Sequence, residues 1–187
     1  MKKLSLPPDR ETLRSLEAGD EVLLSGPALT MRDAALARLS SLAESGEKPP
    51  FEVTGQLIFH AGPAPPSAGR PAGAIGPTTS SRMDRYLETL FELGVPATLG
   101  KGPRSRETLE LHERHGAVYF TTIGGIGALL AGHVTGLEVV AWEELGPEAV
   151  FRAVLDELPA LVAIDSRGRD HLAKQYRKYR STGSARD

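Results

Sequence analysis

The chain has 187 residues, with 24 Asp and Glu against 22 Lys and Arg, and a formal net charge of -2. This near-neutral balance gives no general attraction to nucleic acid or to an anionic membrane surface. Cysteine is absent, which excludes disulfides, thiol nucleophiles and cysteine-held metals within the chain.

At this length one domain with a sizeable apolar core is expected. No apolar run approaches the length of a bilayer span, and Met1-Lys2-Lys3 leads into Leu4-Ser5-Leu6-Pro7-Pro8 rather than a secretory apolar segment. A cytoplasmic location is therefore expected. Apolar stretches alternate with Gly and Pro throughout, as in mixed α/β domains. Glu21 to Ser25 reads as a strand that stops at Gly26-Pro27. From Arg32 to about Ala43, Ala35, Leu36, Leu39 and Leu42 recur at helical spacing, with Thr30 or Asp33 available at the helix start. Gly55 to His60 forms a compact strand candidate, followed by a long loop containing Pro65, Pro66, Gly69, Pro71 and Gly73.

The loop enters Gly76-Pro77-Thr78-Thr79-Ser80-Ser81-Arg82-Met83-Asp84, after which Met83, Tyr86, Leu87, Leu90 and Phe91 share a helical face that ends at Gly94. Ala97 to Leu99 is a strand before Gly100-Lys101-Gly102-Pro103-Arg104-Ser105, and a helix with Thr108, Leu109 and Leu111 follows. Gly116 to Thr121 is the next strand, and Gly124-Gly125 opens a short apolar helix reaching Ala131. Repeated strand-glycine-helix junctions suit an anion, because free N–H groups and the positive helix end converge there. Leu137 to Trp142 is a strand. Ala149 to Leu158 fits either helix or strand, Leu161 to Ile164 is a strand, and the charged segment from Asp170 reads as a peripheral helix fraying into the end of the chain.

Gly94 to Lys101 is not a phosphate-binding loop: five residues separate Gly94 from Gly100, and Gly102 stands where a Ser or Thr should follow the lysine. Gly124-Gly125-Ile126-Gly127 lacks dinucleotide-site spacing. The histidines form no metal-ligand pair, and His112 and His115 read as a solvated helix surface. His60, beside the long loop, is the one histidine placed near chemistry, with a structural hydrogen bond as its simpler role. The informative set is Arg32, Thr78, Thr79, Arg82, Lys101 and Arg104, all at element boundaries. Two guanidinium forks, an ammonium and hydroxyls complement a small dianion with two carboxylates.

These residues resemble the β subunit, or C-terminal domain, of the iron-sulfur hydro-lyases that act on fumarate/malate and L(+)-tartrate. The matching segments are Leu29 to Ala35, Gly62-Pro63, Gly76 to Asp84, Gly100 to Ser105 and Gly124-Gly125. The resemblance implies a three-layer β/β/α swivelling domain over 19–168, between an N-terminal extension 1–18 and a charged tail 169–187, with a strand after Pro147. It implies reversible hydration of fumarate to malate, with tartrate dehydration to oxaloacetate as the near rival and a non-catalytic carboxylate-binding module as a third reading. By the resemblance, Arg32 and Arg82 grip carboxylates. Thr78 and Lys101 approach the reacting carbons, with Thr78 as the proton acceptor and Lys101 stabilising its alkoxide. Thr79, Arg104 and His60 would be accessory, and no residue of this chain would bind metal. A four-iron four-sulfur cluster would belong to a cysteine-bearing α subunit in an α2β2 complex, its open iron a Lewis acid. Two departures stand out: Leu36 where the family often has His, and His60 where it commonly has an aromatic residue.

Overall fold

A computed structural model describes residues 1–66 and 69–180. In chain order its elements begin with β1 (Lys2–Ser5), α1 (Arg10–Ser15), β2 (Glu21–Thr30), α2 (Asp33–Ser45), β3 (Leu57–Phe59), β4 (Ala61–Pro63) and β5 (Ile75–Pro77). A 3-10 helix (Ser80–Tyr86) leads directly into α3 (Leu87–Glu92), followed by β6 (Ala97–Gly100), α4 (Thr108–His115), β7 (Val118–Thr121) and α5 (Gly127–Ala131). The remainder is β8 (Val134–Ala141), a second 3-10 helix (Glu143–Glu148), β9 (Val150–Ile164) and α6 (His171–Arg180). The expected frayed end beyond Arg180 lies outside the described residues. No helix among those described is long and apolar enough to cross a membrane.

Strands β2, β3, β6 and β7 pair side by side in parallel, and β9 runs antiparallel to both β7 and β2. These pairings close the five strands into a ring, with β1 added to β2 and β8 added to β9. Alternation of side chains across a strand then assigns two surroundings. Leu57, Phe59, Ala97, Leu99, Val118, Phe120 and Val162 share one buried cluster with Leu24 and Leu155. Ile58 points the other way, into a second cluster with Leu36 and Leu39 of α2, Met83 of the 3-10 helix and Leu87 and Phe91 of α3. Thr98 and Tyr119, between the first-cluster residues of β6 and β7, also take this opposite side, and both are fully buried.

Several boundaries differ from the sequence reading. The strand expected to stop at Gly26-Pro27 runs on to Thr30, because β9 offers partners along its whole length and a register shift between Leu24 and Gly26 absorbs the irregularity. The segment after Pro147 is a strand continuous with the one expected at 161–164. The stretch read as one helix from Met83 begins as a 3-10 helix. His112 is not on a solvated surface: it is completely buried, edge-on to Phe91 at 5.1 Å. The long loop is pinned at both ends, since β4 and β5 form a two-stranded antiparallel sheet with Ala61 opposite Pro77.

Candidate active site

Arg32 precedes the first turn of α2 and offers no side-chain cap to it. The free N–H of Ala34 is instead satisfied by the Glu148 carboxylate at 2.7 Å, from 114 residues away. Glu148 Oε1 and Asp33 Oδ2 each lie 3.3 Å from Arg32 Nε. The Asp33 oxygen also accepts Arg82 Nη2 at 2.6 Å, so one carboxylate joins the two arginines. Burial pushes the Asp33 carboxyl up, but hydrogen bonds from Arg82, its own backbone and Arg32 prevail and hold it below the usual range. The hydrogen bond from the Arg32 side chain to Asp33 is made through Nε.

Thr78 and Lys101 are brought together by backbone pairing. Thr79 and Lys101 form a parallel bridge, Lys101 N–H donates to Thr78 C=O at 3.2 Å, and Ser80 N–H donates to Lys101 C=O at 3.0 Å. Thr78 is nearly buried, Thr79 is exposed and Lys101 is half-buried. No carboxylate of the described residues pairs with Lys101. Its side chain lies along Gly124, where an added Cβ would stand 3.0 Å from Lys101 Cδ, and Arg32 similarly lies against Gly62. These glycines are walls that the two cations pack against.

Gly100 is under tighter constraint. A Cβ there would sit 2.1 Å from Ser80 Oγ and 3.3 Å from Thr78 C=O. Gly100→Ala is therefore expected to displace the 78–80 segment and destabilise the fold by about 1–3 kcal/mol, as overpacking does. Urea denaturation checks this, and a wild-type midpoint would remove the argument for close approach.

The other two candidates are interior. His60 is fully buried, its Nδ1–H donating to Met31 C=O at 3.1 Å and its Nε2 accepting from Arg104 Nη2 at 2.9 Å. Burial and the adjacent Arg104 push its pKa down to about 3. Burial, with Arg104 again, lowers His112 to about 3 as well, with Nδ1–H donating to Thr108 C=O at 2.7 Å. Both imidazoles are neutral in the folded protein. In the unfolded chain they titrate near 6.5, so below that pH unfolding takes up protons and stability falls continuously toward pH 3. Denaturant melts should show a loss of roughly 1–2 kcal/mol per histidine between pH 7 and pH 5. His112→Phe should remove about half of that slope.

The helix N-termini at these junctions are short or distant. Thr78 and Thr79 precede a 3-10 helix, α4 begins well beyond Lys101, and α5 has only five residues. Two clefts, one beneath α6 between Arg106 and Lys174 and one between Arg10, Arg114 and Arg167, contain none of Arg32, Thr78, Arg82 or Lys101. Of the carboxylates that hold the arginines, Asp33 was read from sequence only as a helix-start residue, and Asp84 and Glu148 were given no role. Asp84 lay within the quoted Arg-Met-Asp run, whereas nothing local marks Glu148.

The profile of the family described as the fumarase C-terminus matches residues 2–175. The chain belongs to this family. It is 38% identical over 149 residues to the class I, anaerobic fumarate hydratase of Escherichia coli (strain K12), covering 79% of this chain and 27% of that protein. It is 35% identical over 168 residues to fumarate hydratase 2 of Leishmania major, covering 88% of this chain and 29% of that protein. The chain thus spans less than a third of these fumarate hydratases. To the "Putative L(+)-tartrate dehydratase subunit beta" of Methanocaldococcus jannaschii it is 37% identical over 165 residues, with 85% of each chain covered. The enzymes these names denote are hydro-lyases.

An iron-sulfur cluster does not fit the residues of this chain. There is no cysteine, and no group of three or more His, Asp or Glu among the described residues is arranged to hold a metal.

Proposed function

We propose that this chain is the β subunit of a hydro-lyase, supplying the dicarboxylate-binding half of a site whose other half, with a four-iron four-sulfur cluster, is carried by a cysteine-bearing α subunit. The observation that carries this reading is the joining of Arg32 and Arg82 through Asp33, beside the Thr78–Lys101 pairing. The near end-to-end match to the Methanocaldococcus relative supports the subunit role. The mixed α/β fold is compatible with the three-layer swivelling arrangement, which we propose on family grounds, with assembly as α2β2 in the cytoplasm.

Arg32 and Arg82 share the carboxylates of Asp33 and Glu148, and Lys101 has no carboxylate partner among the described residues, so the three cations would keep an excess of positive charge that a dianion neutralises. The terminal Nη atoms of Arg32 and the exposed fork of Arg82 would each take a substrate carboxylate, since planar guanidinium matches it bidentately. Thr78 would accept the proton next to a carboxylate. Its hydroxyl is a weak base, and Lys101 would stabilise the alkoxide. We propose fumarate and malate as the substrate pair, with tartrate dehydration as the alternative.

The test is anaerobic co-purification with a three-cysteine α chain, iron and sulfide reconstitution, and assay of fumarate, malate and L(+)-tartrate. Turnover of one pair assigns the substrate. An intact cluster with no turnover on any of them would overturn the lyase reading.

A further inference from the structure

Arg104 carries a charge into the interior, and its side chain has no solvent exposure. Nη1 donates to Asp84 Oδ1 at 2.6 Å and to Ser80 C=O at 3.1 Å. Nη2 donates to Thr98 Oγ1 at 3.1 Å and to His60 Nε2 at 2.9 Å. The guanidinium lies over the Tyr119 ring at 4.4 Å. Burial pushes the Tyr119 phenol up, so it remains a neutral hydroxyl that bridges Ser80 Oγ at 2.9 Å and Gly102 C=O at 2.8 Å. Asp84 Oδ2 accepts Ser105 N–H at 2.8 Å.

Each segment that carries a proposed substrate contact is tied to this hub. His60 holds Met31 C=O, next to Arg32. The His60 carbonyl accepts Thr78 N–H at 2.6 Å. Arg82 sits in the 3-10 turn between Ser80 and Asp84, both bonded to Arg104. Lys101 lies between Thr78 and Ser80 on one side and Gly102, held by Tyr119, on the other.

From this connectivity we infer that Arg104, Asp84 and His60 form a buried positioning unit that sets the relative placement of Arg32, Thr78, Arg82 and Lys101. None of the three touches substrate. His60 serves as the adaptor: one ring nitrogen donates to the Arg32 segment while the other accepts from Arg104, which requires the neutral ring. A phenylalanine fills the same space and can do neither. A glutamine keeps one donor and one acceptor.

The inference deepens the lyase reading and rests on it for its kinetic arm, so the test has two arms. In the full chain without partner, hydrogen exchange should accelerate at least about tenfold at Thr78, Ser80 and Lys101, whose N–H groups donate within this network, in His60→Phe, relative to β2 and β9, and return toward wild type in His60→Gln. Unchanged exchange at those amides would overturn the positioning unit whatever the chain catalyses. In the reconstituted complex, His60→Phe should lower kcat by roughly 10- to 100-fold, the scale expected when reacting groups are misplaced by about 1 Å. KM should change less, because the cations remain present. His60→Gln should restore most of kcat. Wild-type kcat in His60→Phe would overturn the inference, and a wild-type complex without turnover counts against the lyase reading alone, leaving the exchange arm to decide.

Discussion

Lys101→Ala and Arg82→Ala are each expected to cut kcat/KM of the reconstituted enzyme by roughly 10²- to 10³-fold, the scale seen when one preorganised donor to a developing anion is removed. The fold should be spared. Arg82 is about half exposed, and its ion pair with Asp33 sits where solvent screens it, so little stability depends on it. Lys101 is half-buried and has no ion pair among the described residues, while the backbone bridge that fixes its position does not involve its side chain. Steady-state kinetics beside thermal melts check both points. The two variants should also differ: loss of Arg82 should raise KM, whereas loss of Lys101 should fall mainly on kcat if the ammonium stabilises the Thr78 alkoxide. Full activity in either variant would remove that residue from the site.

The largest loss of stability should come from the interior pair. Arg104→Met leaves the Asp84 carboxylate without its cation and removes a donor from Ser80 C=O and from Thr98 Oγ1, and removing one member of a buried pair costs about 3–5 kcal/mol. Asp84→Leu should cost a similar amount, because the guanidinium then has no counter-ion and Ser105 N–H loses its acceptor. The double variant should recover part of the sum, since two apolar side chains no longer strand a charge. It should not regain wild-type stability, because the Ser105 N–H still lacks its acceptor. A double-mutant cycle from urea melts measures the coupling. A coupling near zero would show that the pair is not the unit described here.

How far the sequence reached can be judged at particular residues. Arg32, Thr78, Arg82 and Lys101 could be proposed from sequence because each stands at an element boundary, and such junctions carry short-range signals. The structural hydrogen bonding of His60 was expected from sequence, but its partners and the interior place of Arg104 were not legible. An arginine in a Gly-Pro-Arg-Ser turn has the local signature of a surface residue, and only the packing of β3, β6, β7 and the 3-10 helix around it excludes water. The 150–164 segment shows a different limit. Ala153 and Leu155 are buried on odd numbers, Leu158, Ala160 and Val162 on even numbers, and Glu157 with φ 47° marks the change of phase. That bulge makes the apolar residues at 151, 154, 155 and 158 mimic helical spacing.

By itself the sequence determined the mixed α/β class, the family and the absence of any cysteine to hold a cluster, and it supplied the set of cations we propose to meet a dicarboxylate. These depend on residue identity and spacing over a few positions, which survive in one dimension. The tertiary structure decided which carboxylates restrain the arginines, which cation is buried as a strut and how the four contact residues are held to one another. Those are relations between residues up to 116 apart, such as Glu148 beside Arg32, and they exist only once the strand ring closes and desolvation makes each unpaired polar group costly.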